Sequence, residues 1–180
     1  GLIKKSPQSV VGYYYLGRLY EASNKPKEAE QNYLKAINLS PANESMLLDY
    51  ARFLGAQKRL QDAVQICDQM LSRDPENVLV KRLKAQLLVG QSKYDEAISQ
   101  FEEVGKLEDD PTDTRLKIAL IKMERQDFSG AATDINLVLA KKPDNYIARY
   151  YLGAAYAGMK DLESSLAEFE KIPPTADNYM

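Results

Sequence analysis

Small, bulky and helix-breaking residues recur along this 180-residue chain in one frame of 34 positions. Gly17, Ala51, Ala85, Ala119 and Gly153 form one column, and Ala29, Ala63, Ala97, Ala131 and Ser165 form another. Both suit places where two helices approach closely. A bulky column holds Tyr33, Cys67, Phe101, Ile135 and Phe169, and Ser9, Asn43, Asn77 and Asn145 each stand just before an apolar helical stretch. Pro7, Pro41, Pro75 and Pro143 mark a closing position at every multiple of that period but one. Self-similarity of this length is the signature of a solenoid, whose units bury their apolar faces only by stacking on their neighbours. The pattern and its breakers predict paired helices near 10–23 and 27–39, 44–57 and 61–72, 78–91 and 94–106, 112–126 and 128–140, and 146–159 and 161–171. Turns fall at Asn24-Lys25-Pro26, Gln57-Lys58-Arg59 and Lys160-Asp161.

The first unit carries Tyr13, Leu16, Gly17, Tyr20, Ala29, Tyr33, Ala36 and Pro41, a spacing that resembles the tetratricopeptide repeat. Leu152, Gly153 and Tyr156 repeat the opening in the fifth unit, while Leu47, Ala51, Leu54, Ala63 and Pro75 match in the second. The resemblance covers essentially the whole chain. It implies an all-α fold, a right-handed α-α superhelix of about five helix-turn-helix units. In that reading, residues 1–9 end a preceding repeat and the repeats run about 10–43, 44–77, 78–111, 112–145 and 146–178. Residues 179–180 begin another, since Asp177-Asn178-Tyr179-Met180 echoes Asp144-Asn145-Tyr146-Ile147. The chain is thus expected to be a fragment of a longer array.

Departures concentrate in the third and fourth units. Lys81, Lys84 and Lys122 occupy apolar columns, where their stems are expected to cover apolar surface while the ammonium groups reach water. The third unit has Asp109 in the proline column and Pro111 two residues later, so Asp110-Pro111 is expected to cap the next helix and start it slightly early.

Composition excludes several classes. At 44% hydrophobic, the chain can build a substantial core. A net charge of −2 and a pI near 5.4 offer no general attraction to polyanions, so neither nucleic acid nor an anionic membrane is an expected partner. Apolar runs as short as Ile118-Ala119-Leu120-Ile121 do not span a bilayer, and a soluble segment on the cytoplasmic or periplasmic side of a bacterial cell is expected. With no histidine, the commonest acid/base group and metal ligand is missing, and no enzyme activity, cofactor or metal is expected. Cys67 lies in the bulky core column without an activating partner. The cluster Glu108, Asp109, Asp110 and Asp113 lacks the spacing and glycine of a calcium loop and reads as a solvated turn with a cap.

In the resembled family, the first helices of successive units line a concave groove that holds a partner's peptide or helix. Carried onto this chain, the groove positions are Val11, Tyr14, Tyr15, Arg18 and Glu21; Leu48, Asp49 and Arg52; Leu79, Arg82, Leu83 and Gln86; Asp113, Leu116, Lys117 and Leu120; and Ile147, Tyr150, Tyr151 and Ala154. Tyrosine and arginine offer large contact area with polar tips, so a partner with apolar anchors and some acidic character is expected. The columns that form a chaperone-tail clamp in other members hold tyrosine, leucine, aspartate and arginine here, and the column of an asparagine ladder reads Tyr15, Asp49, Leu83, Lys117 and Tyr151, so neither use is expected. The expected function is a protein-interaction adaptor in a bacterial envelope, secretion or pilus type assembly, with a docking domain of a larger enzyme or regulator as the alternative. Self-association is a further possibility.

Overall fold

The structure, a computed structural model, describes residues 9–174. Ten helices and no strand are found among them: α1 (Val10–Ala22), α2 (Pro26–Leu39), α3 (Glu44–Ala56), α4 (Leu60–Leu71), α5 (Val78–Gly90), α6 (Tyr94–Lys106), α7 (Thr112–Glu124), α8 (Phe128–Lys141), α9 (Tyr146–Gly158) and α10 (Leu162–Glu170). Each begins and ends within two residues of its expected position. The readings placed on Pro7 and on 177–180 lie outside the described residues.

Repeated capping chemistry sets these boundaries. The side chains of Ser9, Asn43, Asn77 and Asn145 accept the backbone N–H three residues on, at 3.0, 3.1, 3.2 and 2.9 Å. That satisfies one of the amides a helix start leaves without an intrahelical partner. Asp127 and Asp161 do the same for the second helices of the last two units. At the other end of every first helix the chain turns through the left-handed region at Asn24, Lys58, Ser92, Gln126 and Lys160, with φ between 55° and 64°. These five residues stand in one column of the same 34-residue frame, and none is glycine.

Two expectations need correction. α7 starts at Thr112, in register with Glu44, Val78 and Tyr146, so Pro111 precedes the helix and does not start it early. Asp110 still accepts the Thr112 N–H at 3.0 Å, and its carboxyl is held well below the usual range by Lys142 first and Thr112 next. The lysines in apolar columns also do not simply reach water. Lys84 pairs with Asp68 at 2.7 Å and Lys122 with Asp134 at 2.6 Å, because partly buried ammonium groups need a carboxylate.

The chain divides into two compact units, up to Gln91 and from Ser92. In the first, α1 packs on α2, α3 on α4, and α4 on α5. Its core combines Tyr33, Tyr50 and Phe53, whose rings lie 5.4 to 6.2 Å apart, with Ala29, Ala51, Ala63 and Cys67. The Tyr33 ring lies so close to Gly17 that a Cβ there would stand 3.0 Å from it, which is the close approach the small column predicts. Burial, with Asp68 adjacent, pushes the Cys67 thiol up to about 12, as befits a core residue. In the second unit Ala119, Ala131, Ile135, Val138, Ala148, Leu152 and Ala155 form a continuous core. Gly153 again meets an aromatic ring, that of Phe169.

Candidate partner-binding surface

In the first unit α1, α3 and α5 carry the residues of interest. Tyr14 is half-buried and donates its hydroxyl to Asp49 Oδ2 at 2.5 Å. Arg18 lies over the Tyr14 ring at 5.9 Å, and Arg52 stands 3.5 Å from Asp49 Oδ1. One carboxylate thus meets a phenol and one guanidinium group, while a second guanidinium lies over the phenol ring, and both guanidinium groups are exposed. Burial, then the bond to Asp49, lifts the Tyr14 phenol above its ordinary range. Tyr15 packs edge-on against Tyr14, with 5.3 Å between centroids, and remains 59% exposed. Leu48 and Arg82 are half-buried, Gln86 is exposed, and Leu83 is 8% exposed, its side chain committed to packing.

The second unit is plainer. Leu116, Lys117 and Leu120 are half-buried on α7, and the Lys117 ammonium lies 5.9 Å from the centre of the Phe101 ring. On α9, Tyr150 meets Tyr151 edge-on at 5.4 Å and Phe169 at 5.7 Å, and is 39% exposed. Val11, Leu79 and Ile147 share a column and all stay exposed.

Sequence reasoning missed a second polar group in this unit. Arg115 and Lys122 on α7 converge on Asp134 of α8 at 3.1 and 2.6 Å. They line a cleft of about 310 Å³ together with Phe101, Thr114 and Ile118. The signal was present in the frame: one unit later the same columns hold Arg149 and Glu168, paired at 2.8 Å. Two units earlier they hold Leu47 and Ile66, and one unit earlier Lys81 and Gln100, so the charge pairing shows only when the columns are compared copy by copy. Among the described residues, no group of three or more His, Cys, Asp or Glu is placed to hold a metal ion. No described helix is long and apolar enough to cross a membrane.

Two family models match. "Cytochrome c-type biogenesis protein H TPR domain" covers residues 2–116, and "Tetratricopeptide repeat" covers 116–179. The chain is 26% identical over 105 residues to cytochrome c-type biogenesis protein CycH of Pseudomonas aeruginosa, covering 57% of this chain and 26% of that protein. It is also 26% identical over 179 residues to protein O-mannosyl-transferase Tmtc3 of Drosophila melanogaster, covering 97% of this chain and 18% of that one. It therefore spans about a quarter or less of these relatives' length. Among solved structures, "YrrB: a TPR protein with an unusual peptide-binding site" superimposes with a TM-score of 0.69 at 18% identity, over 95% of this chain and 88% of that one.

Proposed function

The chain belongs to the tetratricopeptide repeat family, and we propose that it is an adaptor whose first helices hold an acidic, amphipathic segment of a partner protein. The observation that carries this reading is the group on α1 and α3: exposed Arg18 and Arg52 beside the exposed ring of Tyr15. Aromatic rings supply contact area at small ordering cost, and guanidinium groups fork onto carboxylates. Asp49 holds Tyr14 and Arg52 in place before a partner arrives, which lowers the ordering cost of binding. Leu48, Arg82 and Gln86 extend the surface in the first unit. Leu116, Lys117, Leu120, Tyr150 and Tyr151 are its counterparts in the second.

The peptide-binding site named for the YrrB structure supports a peptide as the ligand class. Likeness to CycH favours work in a multiprotein assembly of the bacterial envelope, secretion or pilus kind, with cytochrome c-type biogenesis the member to which the match points. The match to Tmtc3, spread over nearly the whole chain but a small part of that protein, favours a second reading as a docking domain of a larger enzyme.

Fluorescence anisotropy with a labelled amphipathic peptide carrying Leu and Phe anchors, in Glu-rich and Lys-rich versions, separates recognition from packing. The Glu-rich version binds, and the Arg18→Ala/Arg52→Ala variant loses that binding while its helicity is unchanged. Equal binding of both versions, or binding indifferent to the two arginines, would refute the reading.

A further inference from the structure

The cleft beside Arg115, Lys122 and Asp134 opens where the third repeat departs from its frame. Gly105, in the last turn of α6, stands in a column that holds Ile37, Leu71 and Leu139 in the first, second and fourth repeats. A Cβ on Gly105 would lie 3.6 Å from Pro111 Cβ and 3.8 Å from Thr114 Cγ2, ordinary contact distances. What the missing side chain leaves is therefore space. Thr114 also breaks its column, which reads Gly12, Met46, Val80 and Ala148 in the other repeats. It is 1% exposed, and its hydroxyl has no hydrogen-bond partner among the described residues. Its methyl, not its hydroxyl, faces the space beside Gly105.

The charges around this space do not balance. Arg149, the counterpart of Arg115 one repeat on, uses two nitrogens, donating to Glu168 at 2.8 Å and to the Pro143 carbonyl at 2.9 Å. The third repeat carries Asp109 in that proline column. Arg115 donates to Asp134 at 3.1 Å, and among the described residues its guanidinium has no second acceptor. Lys122 takes the other oxygen of the same carboxylate at 2.6 Å. Two cations thus share one negative charge. The remaining charged groups on the lining, Lys106 and Glu102, are of opposite sign, so the cleft carries one positive charge in excess. Its floor is apolar, formed by Phe101 and Ile118.

We propose that this cleft binds a carboxylate joined to one apolar group of side-chain size, carried by a small organic acid or by an acidic side chain next to an aromatic one in a partner's segment. A volume of about 310 Å³ lies at the small end of ligand pockets and suits one such group. The apolar part rests on Phe101 and Ile118 in the space beside Gly105. The carboxylate accepts from the unused nitrogens of Arg115 and from Lys122, supplying the negative charge that the two cations lack. A carboxylate matches the single excess charge, whereas a phosphate monoester brings about two. A turn about the Thr114 Cα–Cβ bond aims its hydroxyl where the methyl now points and gives that group an acceptor. At about 100° per residue, Thr114, Arg115, Ile118 and Lys122 lie on the side of α7 away from Leu116, Lys117 and Leu120. The site is therefore separate from the candidate partner-binding surface and does not rest on it.

Chemical-shift titration of the isotope-labelled chain with phenylacetate, its neutral isostere phenylacetamide and a capped Glu-Phe dipeptide tests this. Phenylacetate moves the backbone amides of Gly105, Thr114, Ile118 and Asp134 and leaves those of α3 and α4 in place, and phenylacetamide binds at least tenfold more weakly. Gly105→Leu restores the side chain that other repeats carry and abolishes the shifts. Thr114→Val, which matches Val80 one repeat earlier, weakens binding severalfold without lowering the melting temperature. The comparison of acid with amide uses the parent chain and holds even where a variant fails to fold. Tighter binding of the dipeptide than of phenylacetate assigns the site to a partner's segment, and weaker binding assigns it to a small acid. Equal binding of acid and amide, no shift on α6, α7 and α8 with either carboxylate, or undiminished binding by a folded Gly105→Leu variant would each overturn the proposal.

Discussion

Asp134 offers the sharpest test of how this fold is held together. Its side chain is 11% exposed and accepts from two cations, Arg115 and Lys122, of which Lys122 is 24% exposed and Arg115 41%. In Asp134→Ala the Lys122 ammonium, set in an apolar column, is left without its carboxylate. Removing one partner of a fully buried pair costs about 3–5 kcal/mol, and the access of water to Arg115 and Lys122 brings the expectation here down to roughly 2 kcal/mol. The second unit of the frame has already solved this site another way, with Leu47, Leu54 and Ile66 in the columns of Arg115, Lys122 and Asp134. The triple variant Arg115→Leu/Lys122→Leu/Asp134→Ile therefore restores the lost stability and exceeds the parent by about 1 kcal/mol or more, since well-packed apolar side chains replace buried ions without loss. Amide hydrogen exchange reads both effects locally. Protected amides of α7 and α8 exchange roughly thirty-fold faster in Asp134→Ala and at or below the parent rate in the triple variant, while those of α3 and α4 do not change. A single variant within about 0.5 kcal/mol of the parent, or a triple variant less stable than Asp134→Ala, would refute the reasoning.

Overfilling the small columns has the opposite character: Gly17→Leu, pressed on the Tyr33 ring, and Ala63→Leu, at a fully buried site, each destabilise by about 1–3 kcal/mol or more in urea titrations, and a silent result would mean the columns are misplaced. Lys58→Gly relieves a left-handed backbone at φ 63° and raises the denaturation midpoint by the equivalent of roughly 0.5–1 kcal/mol, whereas Lys58→Ala does not. The Cys67 thiol stays protonated in the fold well above its ordinary value, so a thiol reagent near neutral pH reacts only as fast as the first unit opens. Since its folded value is raised, the contribution is fully present below about 9 and stability falls as pH climbs from there towards 12; alkaline melts of Cys67→Ala show a shallower decline.

Much of this architecture is legible in the sequence because it rests on repetition. A single Asn before an apolar stretch says little, but Asn43, Asn77 and Asn145 in one frame with Ser9 name the start of every first helix but one. Gly17 and Gly153 announced a close approach, and the rings that approach them, Tyr33 and Phe169, stand in the bulky column. What stayed hidden follows from the same logic. The left-handed turn at Asn24, Lys58, Ser92, Gln126 and Lys160 is a strict backbone column, yet ordinary turn signals look for glycine, and the conformation is imposed here by the helix ends on either side. Arg115, Lys122 and Asp134 were unreadable for a different reason. Lys122 looks like a lone polar intruder among Tyr20, Leu54, Leu88 and Tyr156, the columns of Arg115 and Asp134 mix polar and apolar residues, and only side-chain reach across α7 and α8 shows that the three compensate one another.

The candidate surface is the least legible part, because a tyrosine at helical spacing serves packing or recognition equally well and the distinction depends on where its hydroxyl goes. Tyr33 and Tyr50 settle as packing: their rings lie in the core and their hydroxyls reach Glu21 at 2.5 Å and Glu30 at 3.1 Å. Burial, then Glu30, pushes Tyr50 up to about 12. Tyr14 stands between the two roles, its ring in contact with Tyr33 at 6.3 Å and its hydroxyl on the half-buried Asp49. Tyr14→Phe keeps the ring and deletes the hydroxyl, so the cost is that of one hydrogen bond to a charged acceptor, about 1.5–3 kcal/mol when fully buried and nearer 1 kcal/mol at this partly exposed site. The useful consequence is directional. Freed of the phenol, Asp49 shifts wholly to Arg52, weakening the positive face that an acidic peptide needs, while Asp49→Asn leaves Arg52 free of its carboxylate and strengthens it. Opposite effects of Tyr14→Phe and Asp49→Asn on binding of the Glu-rich peptide would tie Tyr14 to recognition. Equal losses in both would show that this tyrosine, like Tyr33, serves only the packing of α1 against its neighbours.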